Sequence, residues 1–235
     1  MSKALHLILT FLLPFAAGAN ESQEDRKQRQ IQSPEIRGEV LYIQGRIDSH
    51  IYDFISRGAT DLKGVKTVEL NSLGGNSTWS LEIARKIRAL GVKTRISAGN
   101  VCASACVVIF SAGMGREAGR GTWLGIHGAR QGAGYVVRFN DICFSNSGEE
   151  ATFAPDNAGC REFLEEWHGA AMKLTVDSFR LMESHGVLPT LRETYLGMAE
   201  DPNWYQEGNV LRKADWILPA EDAISFGLVT ELTDR

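Results

Sequence analysis

The chain carries few of the residues that would place it among metal or nucleic-acid proteins. It has 5 histidines and 4 cysteines in 235 residues. No close Cys/His pairing has zinc-ligand spacing, so neither a metal nor another cofactor is expected. Basic residues are not in surplus: 25 Lys and Arg stand against 29 Asp and Glu, a net charge of −4, which argues against a nucleic-acid partner. No segment stays apolar for the roughly 20 residues that a membrane-spanning helix needs, so no retained transmembrane helix is expected. There is also no internal repeat and no sign of a second domain.

What is present begins with an export signal. Lys3 precedes an apolar stretch from Leu5 to Phe15 interrupted by His6, Thr10 and Pro14, and Ala17-Gly18-Ala19 follows. This reads as a signal peptide over residues 1–19, cut before Asn20, giving a soluble product that is periplasmic or secreted. Asn20 to Pro34 is charged, Gln-rich and almost without apolar groups, so residues 20–36 are expected as a flexible arm before a domain over 37–235.

Export permits oxidised cysteines. Cys143 and Cys160 bracket a polar loop, and a bond between them would contribute about 3 kcal/mol on the chain-entropy picture. That pairing is expected. Cys102 and Cys106 are four apart, which on a regular helix sets their Cβ atoms about 5–6 Å apart, beyond ordinary disulfide reach, so their state stays open.

Along the domain, EVLYIQG and KTVELNS read as strands around a short helix, SHIYDFISRG, capped by Ser49. A glycine turn, LGGN, leads to a helix from about Thr78 to Leu90, stopped by Gly91. VKTRIS is the next strand, a helix buried on nearly all sides begins around Ser104, and TWLGIH is a further strand. Residues 128–160 read as an inserted hairpin. A long helix follows from about Arg161 to His185, with Phe163, Trp167, Ala171, Leu174 and Leu181 on one face. Pro189 suits the first turn of a helix reaching Met198, and Pro219 that of the last helix before Gly227 and LVTEL. The alternation predicts an α/β domain of βα units with mostly parallel pairing.

Acyl transfer needs a nucleophile, a base, a group to orient the base, and donors for the oxyanion. Ser104, at the mouth of an apolar helix, suits the nucleophile, because unpaired amides and the helix dipole there favour negative charge. Gly75, in the turn after a strand, and Ala105 offer backbone N–H groups for an oxyanion, a single donor being worth about 10²–10³ in rate. His127, at a strand end, is the base. Singly these residues are ordinary: a helix-start serine is usually a cap, Gly-Gly a turn, an interior histidine structural. His50, His168 and His185 have no partner at a useful spacing and read as structural.

In combination and in this order, LNSLGG, CASAC and GIHG resemble the proteolytic subunit of Clp protease (ClpP). YIQGRIDSHIYDFI is similar to that family's first strand and helix and LPAEDAISFGLVTEL to its last, so the likeness runs from about Glu39 to Leu232. It implies a ClpP/crotonase-like spiral of ββα units, from which the disulfide-tied hairpin of 128–160 departs as an insert in place of a shorter segment. It also implies a serine peptidase with Ser104 as nucleophile, His127 as base and Gly75 and Ala105 as oxyanion donors. Chain order places the third triad residue between the long helix and FGLV, which admits Glu200, Asp201 and Asp215, with Asp177 inside the long helix a distant option. Asp201 is expected, because EDPN reads as a turn after a helix where a carboxylate can reach the imidazole. The likeness further implies a homo-oligomer joined through the long helix. Leu73 stands where the family has proline, Ala105 where it usually has methionine, and the cysteines around Ser104 are foreign to cytosolic members. An exported chain would work on peptides or unfolded segments without ATP or an ATPase partner. The alternatives are a non-catalytic binding or assembly module of the same fold, crotonase-type acyl-CoA chemistry, and a Ser-Lys dyad, for which no lysine near His127 stands out.

Overall fold

The computed structural model describes residues 34–58, 61–129, 158–200 and 216–234. The expected export signal, most of the arm and most of the expected insert lie outside these. Two sheets organise the described residues. The larger runs β1 (Glu35–Arg37), β2 (Val40–Gln44), β3 (Thr67–Asn71), β4 (Lys93–Ile96), β6 (Arg116–Gly119) and β9 (Glu231–Thr233), in that spatial order. Only β1 and β2 are antiparallel; the other four pairings are parallel. The smaller sheet sets β5 (Cys102–Ala103) parallel to β7 (Trp123–Ile126), which pairs antiparallel with β8 (Trp216–Pro219). Glu35 and Ile36, assigned to the arm by composition, are already paired in β1.

The alternation in VLYIQ buries Leu41 and Ile43 completely, whereas β3, covered on both faces, buries three successive residues. Helix α1 (Ser49–Arg57) is capped by Asp48 rather than Ser49: Asp48 has extended backbone and its Oδ1 accepts the His50 N–H at 2.9 Å. Helix α2 (Ser77–Leu90) is capped by Asn76, which accepts the Trp79 N–H, and it ends on Gly91 at φ +69. Helix α3 (Ala105–Ser111) is buried at every position, as its unbroken apolar sequence requires. The long helix α4 (Ala158–Ser184) and α5 (Pro189–Glu200) pack onto this core, and α6 (Ala220–Ala223) leads toward β9. On α4 the buried residues include Phe163 and Ala171, as expected, together with Thr175, Phe179 and Met182, while Leu174 and Leu181 are only partly buried. The buried polar Thr175 escapes a hydrophobic count. The side chain of Trp167 lies outside the described residues.

A buried histidine links α4 to α3. His185 is 6 % exposed, with Nδ1 3.3 Å from Ser111 Oγ, whose own proton goes to the Val108 carbonyl. Burial, reinforced by Arg88, Arg116 and Arg85, pushes its pKa down from 6.5 to about 4. A group with a depressed folded-state pKa binds its proton more readily when unfolded, so protonation favours unfolding. Its contribution is therefore complete above about pH 6.5 and is lost as pH falls toward 4, by up to about 3 kcal/mol. Denaturant unfolding at pH 7.5 and pH 5 is expected to show a smaller fall for His185→Gln than for the unaltered chain.

Candidate active site

Ser104 stands at the junction between the small sheet and α3. It follows β5 with φ 57 and ψ −126, and among the described residues it is the only non-glycine with positive φ. Such a backbone costs on the order of 1–3 kcal/mol and persists only where its surroundings enforce it. Those surroundings are visible: the Ser104 N–H donates to the Gly125 carbonyl at 2.7 Å, and the Ala103 N–H to the Ser72 carbonyl at 3.0 Å. The cap assignment fails in one respect that matters. Ser104 occupies the cap position of α3, yet its hydroxyl makes no cap hydrogen bond. A strained strand-to-helix turn that presents an uncommitted hydroxyl is the geometry of a nucleophile elbow.

Cys102 and Cys106 form a disulfide, with Cα atoms 5.3 Å apart. The i,i+4 distance that left their state open belongs to a continuous helix. Here Cys102 is in β5, and the turn at Ser104 brings the two cysteines together. The other expected pairing involves Cys143, which lies outside the described residues. Its proposed partner Cys160 is fully buried and disulfide-bonded.

The approach to Ser104 is fixed by β3. Glu69 is 3 % exposed and accepts from Arg95 Nε at 2.5 Å, Asn100 Nδ2 at 2.8 Å and the Ser97 N–H at 2.9 Å. Asn71 Oδ1 accepts the Val101 N–H at 3.2 Å. These bonds carry the loop after β4 back to the end of β3, where Ser72 bridges to Cys102.

The glycine turn then lies against the serine. A Cβ on Gly74 would meet Ser104 Cβ at 2.6 Å and the Ala103 carbonyl oxygen at 2.8 Å. Gly75 bridges to Ile47 through the Gly74 carbonyl and the Asn76 N–H. In a parallel bridge the bridged residue's own N–H points to the opposite edge, and that edge is the one on which β5 and Ser104 lie. Among the described residues neither the Gly75 N–H nor the Ala105 N–H meets a hydrogen-bond acceptor. Gly74→Ala adds a clash with Ser104 at a φ of +102 that alanine resists. It is expected to lower turnover by about 10²-fold, since a displacement near 1 Å at a reacting atom costs that much. Steady-state rates corrected for folded fraction check it.

His127, half-buried just after β7, shares a pocket with Ser104 and Ala105. Its Nδ1 lies 2.6 Å from the Gly128 carbonyl oxygen. A carbonyl can only accept, so Nδ1 carries the proton and Nε2 is the basic nitrogen. Two side chains hold this segment: Tyr195 Oη accepts the Gly128 N–H at 2.5 Å, and Thr175 Oγ1 accepts the Ala129 N–H at 2.9 Å. Composition gave no sign of either, because each is a single polar group on a helix that otherwise reads as packing. Val108, Ile126, Phe179 and Met182 supply the apolar wall of the pocket and Ser77 and Ser178 polar points on it. No lysine is among the described residues that line it.

The expected acid stays outside this frame. Asp201 and Asp215 lie outside the described residues, as does the side chain of Glu200. Asp177 on α4 forms an ion pair with Lys173 one turn away, which holds its carboxyl below the usual carboxylate range, and it does not line the pocket.

No family model matches the sequence, and no curated protein matches it. The fold has known counterparts. A solved ClpP1 mutant from Listeria monocytogenes aligns with a TM-score of 0.50 at 17 % identity, over 84 % of this chain and 92 % of that one. The fold is ClpP-like. Within this ClpP-like fold the glycine turn, the elbow serine and the histidine meet at the edge where the two sheets join.

Proposed function

We propose that this chain is a serine hydrolase of the ClpP-like fold, acting as an ATP-independent peptidase. Ser104 is the nucleophile and His127 Nε2 the base. As Ser104 Oγ bonds to the scissile carbonyl carbon, its proton passes to Nε2, and the carbonyl oxygen, now an oxyanion, takes hydrogen bonds from the Gly75 and Ala105 amides. His127 then returns the proton to the leaving amine as the C–N bond breaks, and water releases the acyl group by the reverse relay. In this structure the Nδ1–H is oriented by the Gly128 carbonyl; an acid from the 200–215 stretch, Asp201 the first choice, would share or take over that bond. One observation carries this reading: a strained, uncapped Ser104 hydroxyl in the same pocket as His127.

The apolar wall of Val108, Ile126, Phe179 and Met182 fits an acyl residue with an apolar side chain. Residues 1–19 would direct the chain to an oxidising compartment, with which the Cys102–Cys106 disulfide accords. Its partners there are peptides or unfolded segments and, by analogy with the fold, further copies of itself. The test is turnover of short fluorogenic peptides by the mature protein without ATP. Peptides with an apolar residue before the scissile bond should be cleaved with an acyl-enzyme burst, and those with Asp or Glu there at least about 10-fold more slowly. An oligomer that cleaves none of them would instead support a binding or assembly module.

A further inference from the structure

The disulfide encloses the nucleophile. Cys102 and Cys106, both fully buried, close a covalent ring of five residues whose middle member is Ser104 and whose fourth is Ala105. The upstream arm of this ring is tied to both neighbouring strands by the Ala103 and Ser104 N–H groups. The downstream arm is the first turn of the buried helix α3: Val107 N–H returns to the Ser104 carbonyl at 2.9 Å, while the Ala105 N–H meets no acceptor among the described residues.

The competing conformation for this segment is a helix, formed at the expense of the β5 pairings. If Ser104 relaxed to the ordinary helical region, α3 would extend backward through residues 102–104 and the positive φ would disappear. In that helix the two Cβ atoms would stand beyond disulfide reach. The disulfide is thus compatible with the elbow and incompatible with its relaxed alternative. Without the bond, the choice between the two would rest on the Ala103 and Ser104 N–H bonds and on the packing of α3 alone.

Resting on the reading of Ser104 as nucleophile, we infer that the Cys102–Cys106 disulfide is a positioning element of the active site, holding the Ser104 hydroxyl and the Ala105 amide in their reactive register. Its reduction lowers the rate of acyl transfer without unfolding the domain.

The test compares the oxidised protein with Cys102→Ala/Cys106→Ala and with the better-filled Cys102→Val/Cys106→Ala. The readouts are the rate of fluorophosphonate labelling per folded molecule and kcat and KM on an ester substrate. Labelling and kcat are expected to fall about 10- to 100-fold, the loss that a displacement of up to about 1 Å produces, with KM within about threefold. A purely structural bond would change the folded fraction and leave both rate constants per folded molecule alone. If neither variant folds, the unaltered protein reduced under mild denaturant and returned to buffer takes their place, the reduced cysteines being mapped by alkylation of a separate aliquot, and reoxidation of the unalkylated remainder should restore the rate. Labelling of the disulfide-free protein within twofold of the oxidised protein would overturn the inference while leaving the nucleophile standing. Failure of the oxidised protein to label at Ser104 would overturn both.

Discussion

Replacing His127 by glutamine is expected to slow acylation of Ser104 by at least about 10³-fold while KM stays within a few-fold. The side chain is half-buried after β7, and its Nδ1–H faces the Gly128 carbonyl, which makes Nε2 the basic nitrogen. Glutamine has similar reach and hydrogen-bonding capacity but cannot take the proton. Removing the base of a serine hydrolase leaves only the contribution of the oxyanion donors and of binding. The segment itself should survive, because the Gly128 and Ala129 amides remain bonded to Tyr195 and Thr175. Stopped-flow measurement of the burst phase separates this loss of chemistry from a loss of binding, and a melting temperature within about 2 °C of the unaltered chain would confirm that the fold is intact.

The second large effect is on stability, at a residue that does not line the pocket. Arg116 in β6 is 5 % exposed and directs its guanidinium at backbone carbonyls from three separate segments: Gly113 at 3.2 Å, His185 at 3.1 Å, and Leu228 and Gly227 at 3.0 and 2.7 Å. The loops after α3, α4 and α6 converge on this one side chain. Burial, with Arg88 nearby, holds its pKa below the ordinary arginine value, which marks the site as one where charge is costly unless every donor is used. Arg116→Met keeps the stem and removes the donors, leaving buried carbonyls unpaired at about 1–3 kcal/mol for each that cannot rearrange. A net destabilisation of about 3 kcal/mol is expected, lowering the melting temperature by about 6–12 °C for a domain of this size. Peptidase activity per folded molecule should be unchanged. Equilibrium unfolding in urea beside the rate at saturating substrate checks both halves.

These two sites differ in how far the sequence discloses them. The strand, glycine turn and helix around LNSLGG, the Ser104 helix and the strand ending before His127 follow from apolar period and turn residues, because the groups that fix them are neighbours in the chain. Strand β6 does not follow. Its four residues, REAG, carry two charges and a glycine, and they form a strand because Arg116 is satisfied by carbonyls from distant loops and Glu117 by Lys93 across the sheet. The face of α4 is only partly legible for the same reason: Phe163 and Ala171 are buried as expected, but Thr175 is buried because it bonds the Ala129 amide, a partner 46 positions away. The Cys102–Cys106 bond was obscured by a local assumption, a continuous helix, that the turn at Ser104 cancels. Of the candidate-site residues that sequence pointed to, Ser104, His127 and Gly75 are restricted in type, and Ala105 follows from its place beside Ser104, since it acts through its backbone amide. The ones it missed, Tyr195 and Thr175, act by position alone.

Fluorophosphonate treatment of the mature protein, followed by peptide mapping, tests most directly whether the hydroxyl at the elbow is a nucleophile. A single adduct on Ser104, absent from Ser104→Ala and formed at least about 10³-fold more slowly in His127→Gln, is the predicted result. Equal labelling of the unaltered chain and Ser104→Ala, or an adduct on another residue, would contradict it.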